Sequence, residues 1–291
     1  VKHFDEALFL SDTLQWELSY EEMKQEYTAF FVGEDDPQLW LERRTDPFLN
    51  QLFEASQGNK SELKQQVDML FEGIRHYYHY YPARKVSEIF FYVSGLDLDY
   101  PVIFADTMLF IASDMYMNAD HPAYEGVQQF VRRDFRPEMM VSDVFLEMAR
   151  FHIPFNPQNK SLLNRMIYEG KRLYFAQAML PKRQLNTWMG YNEEEWTWAQ
   201  NNEDFTWAYL INNQLLFSNK QEALSRFIEP APFTKFFTNR DQETPGRLGT
   251  YMGWQIVSAF MENNSDVSLL EMLSITDPQQ LLNQSNYKPK K

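Results

Sequence analysis

The stretch Pro245-Gly-Arg-Leu-Gly-Thr-Tyr-Met-Gly-Trp-Gln-Ile-Val-Ser-Ala-Phe-Met-Glu262 has helical apolar spacing, yet it carries Gly246, Gly249 and Gly253. These are three of the ten glycines in the chain, so their clustering calls for a cause. Each glycine inside a helix costs roughly 1 kcal/mol relative to alanine. At about 100° per residue the three share one narrow stripe with Ile256, Val257 and Phe260. The stripe predicts a close-packing helix that another backbone approaches directly, because only glycine removes the Cβ that would hold it off. The neighbour expected is a helical hairpin formed by residues 137–151 and 161–180.

The surrounding chain of 291 residues is long enough for a substantial core, and at 44% hydrophobic and 16% aromatic residues it reads as globular. Its net charge of −14 repels phosphate backbones, which argues against nucleic acid as a partner. The absence of cysteine excludes disulfides, thiolate metal ligands and cysteine nucleophiles. Apolar runs such as Ile89-Phe-Phe-Tyr-Val93 are far shorter than the roughly 20 residues that span a bilayer. The chain opens on Val1 rather than Met, so a leader or anchor upstream of it is expected.

Local patterns predict an α+β chain, predominantly α-helical with one small β-sheet, in a single domain over 1–291. Residues 1–82 form a helical N-terminal part, with capping-box spacings at Ser19/Glu22 and Asn59/Glu62 and a stop at Tyr81-Pro82. Glu34-Asp-Asp36 is the acidic entry to a helix at Pro37. Residues 83–135 hold the sheet, with strands at 87–94, 102–105 and 109–112 and a turn over 95–101. Residues 136–291 are helical again. Asn192 caps a Trp-rich helix reaching Phe217, Thr244-Pro245 opens the glycine-striped helix, and Asp277-Pro278 opens the last one. The Lys288-Pro-Lys-Lys291 tail reads as frayed.

Candidate chemistry is sparse. His76 and His79 share a helix face, but i, i+3 spacing supplies no third metal ligand, and packing is the plainer reading. Asp97 and Asp99 lack the spacing of a calcium loop and read as a solvated turn. Trp188, Trp196, Trp198 and Trp207 fit a core, or the lining of a ligand groove. In a zinc protease of the Glu-ligand type, the 137–151 helix would carry His-Glu-x-x-His and the 161–180 helix a Glu. Here Asp143 and Glu147 fall at the two histidine positions, Val144 at that of the general base, and Glu169 at that of the third ligand. Such a carboxylate trio has oxygen donors for calcium or magnesium, but lacks the base that zinc-water hydrolysis requires.

Several blocks resemble the gliding-motility lipoprotein GldB family of the Bacteroidetes, itself similar to a family of predicted zinc-dependent proteases. They are Pro101-Val-Ile-Phe-Ala-Asp106 with Asp114-Met-Tyr116, then Tyr168-Glu-Gly-Lys-Arg-Leu-Tyr-Phe175 with Leu180-Pro181. The glycine block Pro245 to Gly253 with Ile256-Val257 and the ending Ser285-Asn-Tyr-Lys-Pro-Lys290 complete the set. The resemblance implies a zincin-like metalloprotease scaffold without its metal motif, and a pseudoenzyme with no cofactor. It also implies a lipid-anchored protein of the outer membrane or periplasm whose partners are other envelope proteins. Asp143, Glu147 and Glu169 are then vestigial-cleft residues. The alternatives are a degenerate or atypical metal-dependent hydrolase, and a peptide- or small-molecule-binding module using the same cleft.

Overall fold

The computed structural model describes residues 1–33 and 35–290, so Glu34 of the acidic run lies outside the described residues. The chain forms two compact units, 1–70 with 83–126 and 135–144, and 71–82 with 127–134 and 145–291. The division falls inside two helices, after Leu70 and after Val144.

The first unit is built on a four-stranded sheet of order β1-β2-β4-β3, with β1 Lys2–His3, β2 Glu88–Tyr92, β3 Val102–Ala105 and β4 Met108–Ala112. The β1/β2 and β2/β4 pairs are parallel and β3/β4 is antiparallel. The three expected strands form, at 88–92 rather than 87–94, at 102–105, and at 108–112 rather than 109–112, and β1 adds the extreme N-terminus. Two residues carry too little pattern to announce a strand; β1 forms because Lys2 and His3 pair with Phe90 and Phe91. The Asp106-Thr107 loop closes the β3/β4 hairpin, with Asp106 at a φ of 55°, a conformation Asp tolerates better than most residues. One sheet face stacks Phe90 on Phe110 at 5.2 Å, and Phe30 meets both rings edge-on.

The helices up to residue 152 are α1 Phe4–Phe9, α2 Trp16–Glu26, α3 Pro37–Thr45, α4 Pro47–Gln57, α5 Lys60–Tyr80, α6 Gln129–Arg132 and α7 Pro137–His152, of which α6 belongs to the second unit and α5 and α7 are divided. The Ser19/Glu22 capping box does not form, because Ser19 is not at a helix start. Ser19 lies inside α2 and donates back to Asp12 O at 3.3 Å. Asn59 precedes α5 but donates its side-chain amide to Tyr116 O at 3.1 Å.

The first unit also contains a buried carboxylate. Asp114 follows β4, where it accepts from Ser94 N at 2.9 Å, Gly95 N at 2.9 Å and Leu96 N at 2.8 Å, and from Ser94 Oγ. Gly95 and Leu96 both have positive φ, 81° and 63°, so three successive N–H groups converge on one anion. Asp97 closes the turn by accepting from Asp99 N and Tyr100 N, and is exposed.

The second unit contains α8 Leu162–Met179, α9 Leu185–Met189, α10 Glu193–Asn201, α11 Glu203–Asn212, α12 Gln221–Phe227, α13 Leu248–Asn263, α14 Leu269–Ser274 and α15 Pro278–Ser285. The Trp-rich segment is two helices, because Asn202 caps back onto Trp198 O and breaks the run. Helix α13 packs against α8 and α15. At the α8/α13 crossing the backbones touch: a Cβ on Gly253 would lie 1.8 Å from Met166 O, and one on Gly170 would lie 2.3 Å from Gly253 O. Gly249 instead faces Phe227 and Ile228.

The start of α13 differs from the sequence expectation. The helix begins at Leu248, and Gly246 lies outside it. The carbonyls that would open the helix earlier are taken. Thr234 donates to Pro245 O from N and Oγ1, and Tyr191 Oη donates to Gly246 O. The chain turns at Arg247, which is left-handed at φ 58°, and a Cβ on Gly246 would strike Ala231 O at 2.4 Å.

The C-terminal segment is tied down rather than frayed as far as Lys290, and Lys291 lies outside the described residues. Glu203, 1% exposed, accepts from Tyr251 Oη at 3.1 Å, Tyr287 Oη at 2.8 Å and Lys290 N at 3.1 Å. Burial and the Glu203 charge push the Tyr287 hydroxyl pKa far up.

Lys171, 2% exposed on α8, donates to Leu273 O and Ile275 O at the end of α14. This placement complements the carbonyl end of that helix. Burial lowers its pKa from 10.5 to about 8. Between those pH values the unfolded chain holds a proton that the folded chain has released, so stability should rise with pH across that window. The gain should be on the order of 3 kcal/mol or less. It should vanish in Lys171→Met, as measured by urea unfolding at pH values on either side of the window.

Candidate functional site

Asp143, Glu147 and Glu169, the three carboxylates expected at a cleft, are all engaged. In the first unit, Asp143 accepts from Tyr116 Oη at 2.9 Å. Burial and Asp143 raise the Tyr116 pKa well above normal. In the second unit, Glu147 pairs with Arg150 of its own helix, its Oε2 accepting from Nε at 2.7 Å. Glu169 sits between two arginines, 3.2 Å from Arg165 Nε and 2.7 Å from Arg172 Nη1. The spacing that creates this triad is local: Arg165 is four residues before Glu169 and Arg172 three after, so all share one face of α8.

Glu169 opens onto a cavity of about 290 Å³ within the second unit. Arg165, Arg172 and Arg247 line it together with Trp188, Leu173 and Ile228. Arg172 also donates from Nε to Leu146 O at 3.2 Å. Burial opposes the charge of Arg172, but Glu169, Tyr168 and Glu147 hold its pKa above the usual guanidinium value. The neighbouring Tyr168 has a raised pKa, caused first by burial and opposed by the charge of Arg172. The guanidinium groups of Arg165 and Arg172 lie over the Tyr168 ring at 5.6 and 5.9 Å.

Arg247 enters the cleft from the turn before α13. Its Nη2 donates to Met189 O at 2.5 Å and to Asp134 Oδ2 at 3.3 Å. A left-handed, non-glycine residue is a strained one, and such strain persists where the surroundings fix it. Trp188 is 4% exposed, and its Nε1 is buried without a hydrogen-bond partner. The guanidinium of Arg183 covers the Trp188 ring at 5.1 Å.

The remaining aromatic and histidine candidates serve packing. Trp196 meets Tyr251 and Trp254, Trp198 meets Phe236, and Trp207 meets Tyr287 edge-on. His76 donates from Nδ1 to Met179 O at 2.6 Å, while His79 is exposed. His152 stacks on Tyr81 at 4.2 Å and shares a hydrogen bond with Tyr77 Oη. Among the described residues no group of three His, Asp or Glu side chains is placed to hold a metal ion.

The expectation of a carboxylate trio leaves out the arginines around Glu169. Arg165 and Arg172 were legible from their spacing. Trp188, one of the four tryptophans that fit a core or a groove, and Arg247 reach the cleft through tertiary packing, and nothing local distinguishes Arg247.

No helix among the described residues is long and apolar enough to cross a membrane. No curated protein and no solved structure matches the chain. A family model of lipoproteins, described as gliding motility protein GldB, does match, over residues 1–289. Covering nearly the whole sequence, that match makes this chain a member of the gliding motility protein GldB family.

Proposed function

We propose that this protein is a non-catalytic, lipid-anchored component of the outer membrane or periplasm. In this reading it serves gliding motility by binding another envelope protein through the Glu169 cleft. The observation that carries the reading is the Arg165–Glu169–Arg172 triad. A metal ion would have to displace two guanidinium groups from the carboxylate it needs. Charge-assisted pairs of this kind are among the stronger polar contacts, so the displacement is opposed. The valine at position 144 argues in the same direction, because a zincin-like scaffold without its base does not activate water.

Metal analysis tests the catalytic alternative. After exposure to excess zinc and gel filtration, the protein should retain far less than one zinc per chain. One zinc per chain that is lost in Glu169→Ala would overturn the reading. The same substitution should lower stability by about 1–3 kcal/mol, because it strands two arginines that the carboxylate had neutralised. Affinity capture from the native envelope tests the binding role. A partner retained by the wild type and lost with Arg165→Glu supports it, and equal capture by both counts against use of this cleft.

A further inference from the structure

We infer that a pocket at the C-terminal end of α8 binds an uncharged, proline-rich segment of a partner chain in extended form. The pocket holds about 320 Å³, lies within the second unit, and shares no lining residue with the Glu169 cleft.

The walls are the first argument. Tyr174, Gln177 and Ala178 stand at i, i+3 and i+4 on one face of α8, so the small alanine leaves room beside the larger side chains. Tyr80 at the end of α5, Met261 of α13 and Leu269 of α14 complete the lining. Tyrosine rings and a methionine offer broad apolar contact to a flat ring. The lining residues carry no charged side chain, although the chain has a net charge of −14. A charged ligand would lose water there and gain no counter-ion. The nearest acidic group, Glu262, acts on Tyr174 and turns acidic ligands away.

Hydrogen-bond polarity is the second argument. Trp254 Nε1 can only donate, and Gln177 Oε1 accepts from it at 3.1 Å. This fixes which way the amide faces and leaves the Gln177 NH₂ group as a donor. The Tyr80 and Tyr174 hydroxyls have no hydrogen bond to another side chain or carbonyl among the described residues. Burial raises the Tyr174 pKa, and Tyr80 and Glu262 add to the rise, so its hydroxyl is a donor at neutral pH. All three side chains are half-buried rather than sealed, so a ligand from solvent reaches them.

Neutral donors between aromatic walls complement a ligand with acceptors, flat rings and no charge. A prolyl segment has a carbonyl at every residue and no N–H that needs an acceptor. An ordinary peptide would bring N–H groups to an amide whose oxygen Trp254 already occupies. The polyproline helix is also formed before binding, which lowers the ordering cost, and aromatic-lined grooves are its usual docking sites. At about 320 Å³ the pocket is at the small end of ligand sites, which suits a short segment rather than a folded surface.

The test uses the full chain and three probes: hexaproline blocked at both ends, a serine–glycine hexapeptide blocked alike, and hexanol. Affinity is measured by calorimetry, and the Trp254 indole N–H resonance, one bond from Gln177, is followed by NMR. Hexaproline should bind with a Kd on the order of 0.1–1 mM and move that resonance, while the other two should not. Gln177→Glu keeps an acceptor for Trp254 and deletes the NH₂ donor, and should weaken binding by about tenfold. Tyr80→Ala removes one wall at the exposed end of a helix and should also weaken it by about tenfold. Tyr174→Phe, which keeps the ring, should weaken it roughly two- to fivefold and keeps the test open where another variant fails to fold. No response to hexaproline, an equal response to the serine–glycine peptide, equal or tighter binding of hexanol, or wild-type affinity in Gln177→Glu would each overturn the inference.

Discussion

Gly253→Ala should lower the stability of the second unit by about 3 kcal/mol or more, and Gly253→Val should prevent that unit from folding. In most helices the first change is favourable by roughly 1 kcal/mol, since alanine is the better helix former. Here the added Cβ meets Met166 O at 1.8 Å and Met166 C at 2.4 Å. Both are backbone atoms of α8, so no rotamer change relieves the clash. The helices must separate, and separation uncovers Ile256, Val257 and Phe260, all 1% exposed or less. Gly170→Ala should behave alike, because its Cβ would strike Gly253 and Trp254 N from the other side. Ser258→Ala on the same helix should change stability by no more than about 0.5 kcal/mol. Urea unfolding followed by tryptophan fluorescence is a suitable measurement, because five of the seven tryptophans (188, 196, 198, 207 and 254) belong to the second unit. A Gly253→Ala protein as stable as the wild type would mean that α8 and α13 do not meet at this point.

The glycine stripe shows how far local pattern carries. Spacing alone places Gly249 and Gly253 on one face and requires a close neighbour. It does not say that Gly253 meets α8 while Gly249 meets the end of α12, because that depends on how the chain returns through residues 180–245. The start of α13 lies beyond its local helix-entry signal for a related reason. Thr244-Pro245 has the local form of a helix entry, but Thr234 and Tyr191 take the carbonyls a helix would use, and neither is near in sequence. The strands at 88–92, 102–105 and 108–112 were legible because enrichment in aromatic and β-branched residues is local. The β1 strand was not, because two residues have no periodicity. The cleft divides in the same way. Glu169 and its arginines lie on one helix at i−4 and i+3, whereas Arg247 and Trp188 arrive from elements far along the chain.

Asp114→Ala should destabilise the first unit by about 3–5 kcal/mol, a larger effect than any other carboxylate substitution there. The carboxylate holds three backbone N–H groups, at Ser94, Gly95 and Leu96, and the Ser94 hydroxyl. Alanine leaves all of them buried or half-buried without an acceptor. It also releases Leu96 from a left-handed conformation that costs a non-glycine residue about 1–2 kcal/mol, so the turn has no reason to keep its shape. Asp114→Asn should fall between, since one amide oxygen still accepts while the NH₂ group faces donors. Asp97→Ala, in the same turn but exposed, should cost less than about 1 kcal/mol. The sequence drew attention to Asp97 and Asp99 because they are adjacent to the turn, yet the residue that organises the turn lies some twenty positions later, past the end of β4. It arrives there because β2 and β4 are parallel neighbours, which brings the residues following each strand to the same edge. Hydrogen exchange separates this account from a general loss of packing. In Asp114→Asn the amides of Ser94, Gly95 and Leu96 should lose protection before those of β2 itself, and unchanged protection at those three amides would show that the turn does not depend on the carboxylate charge.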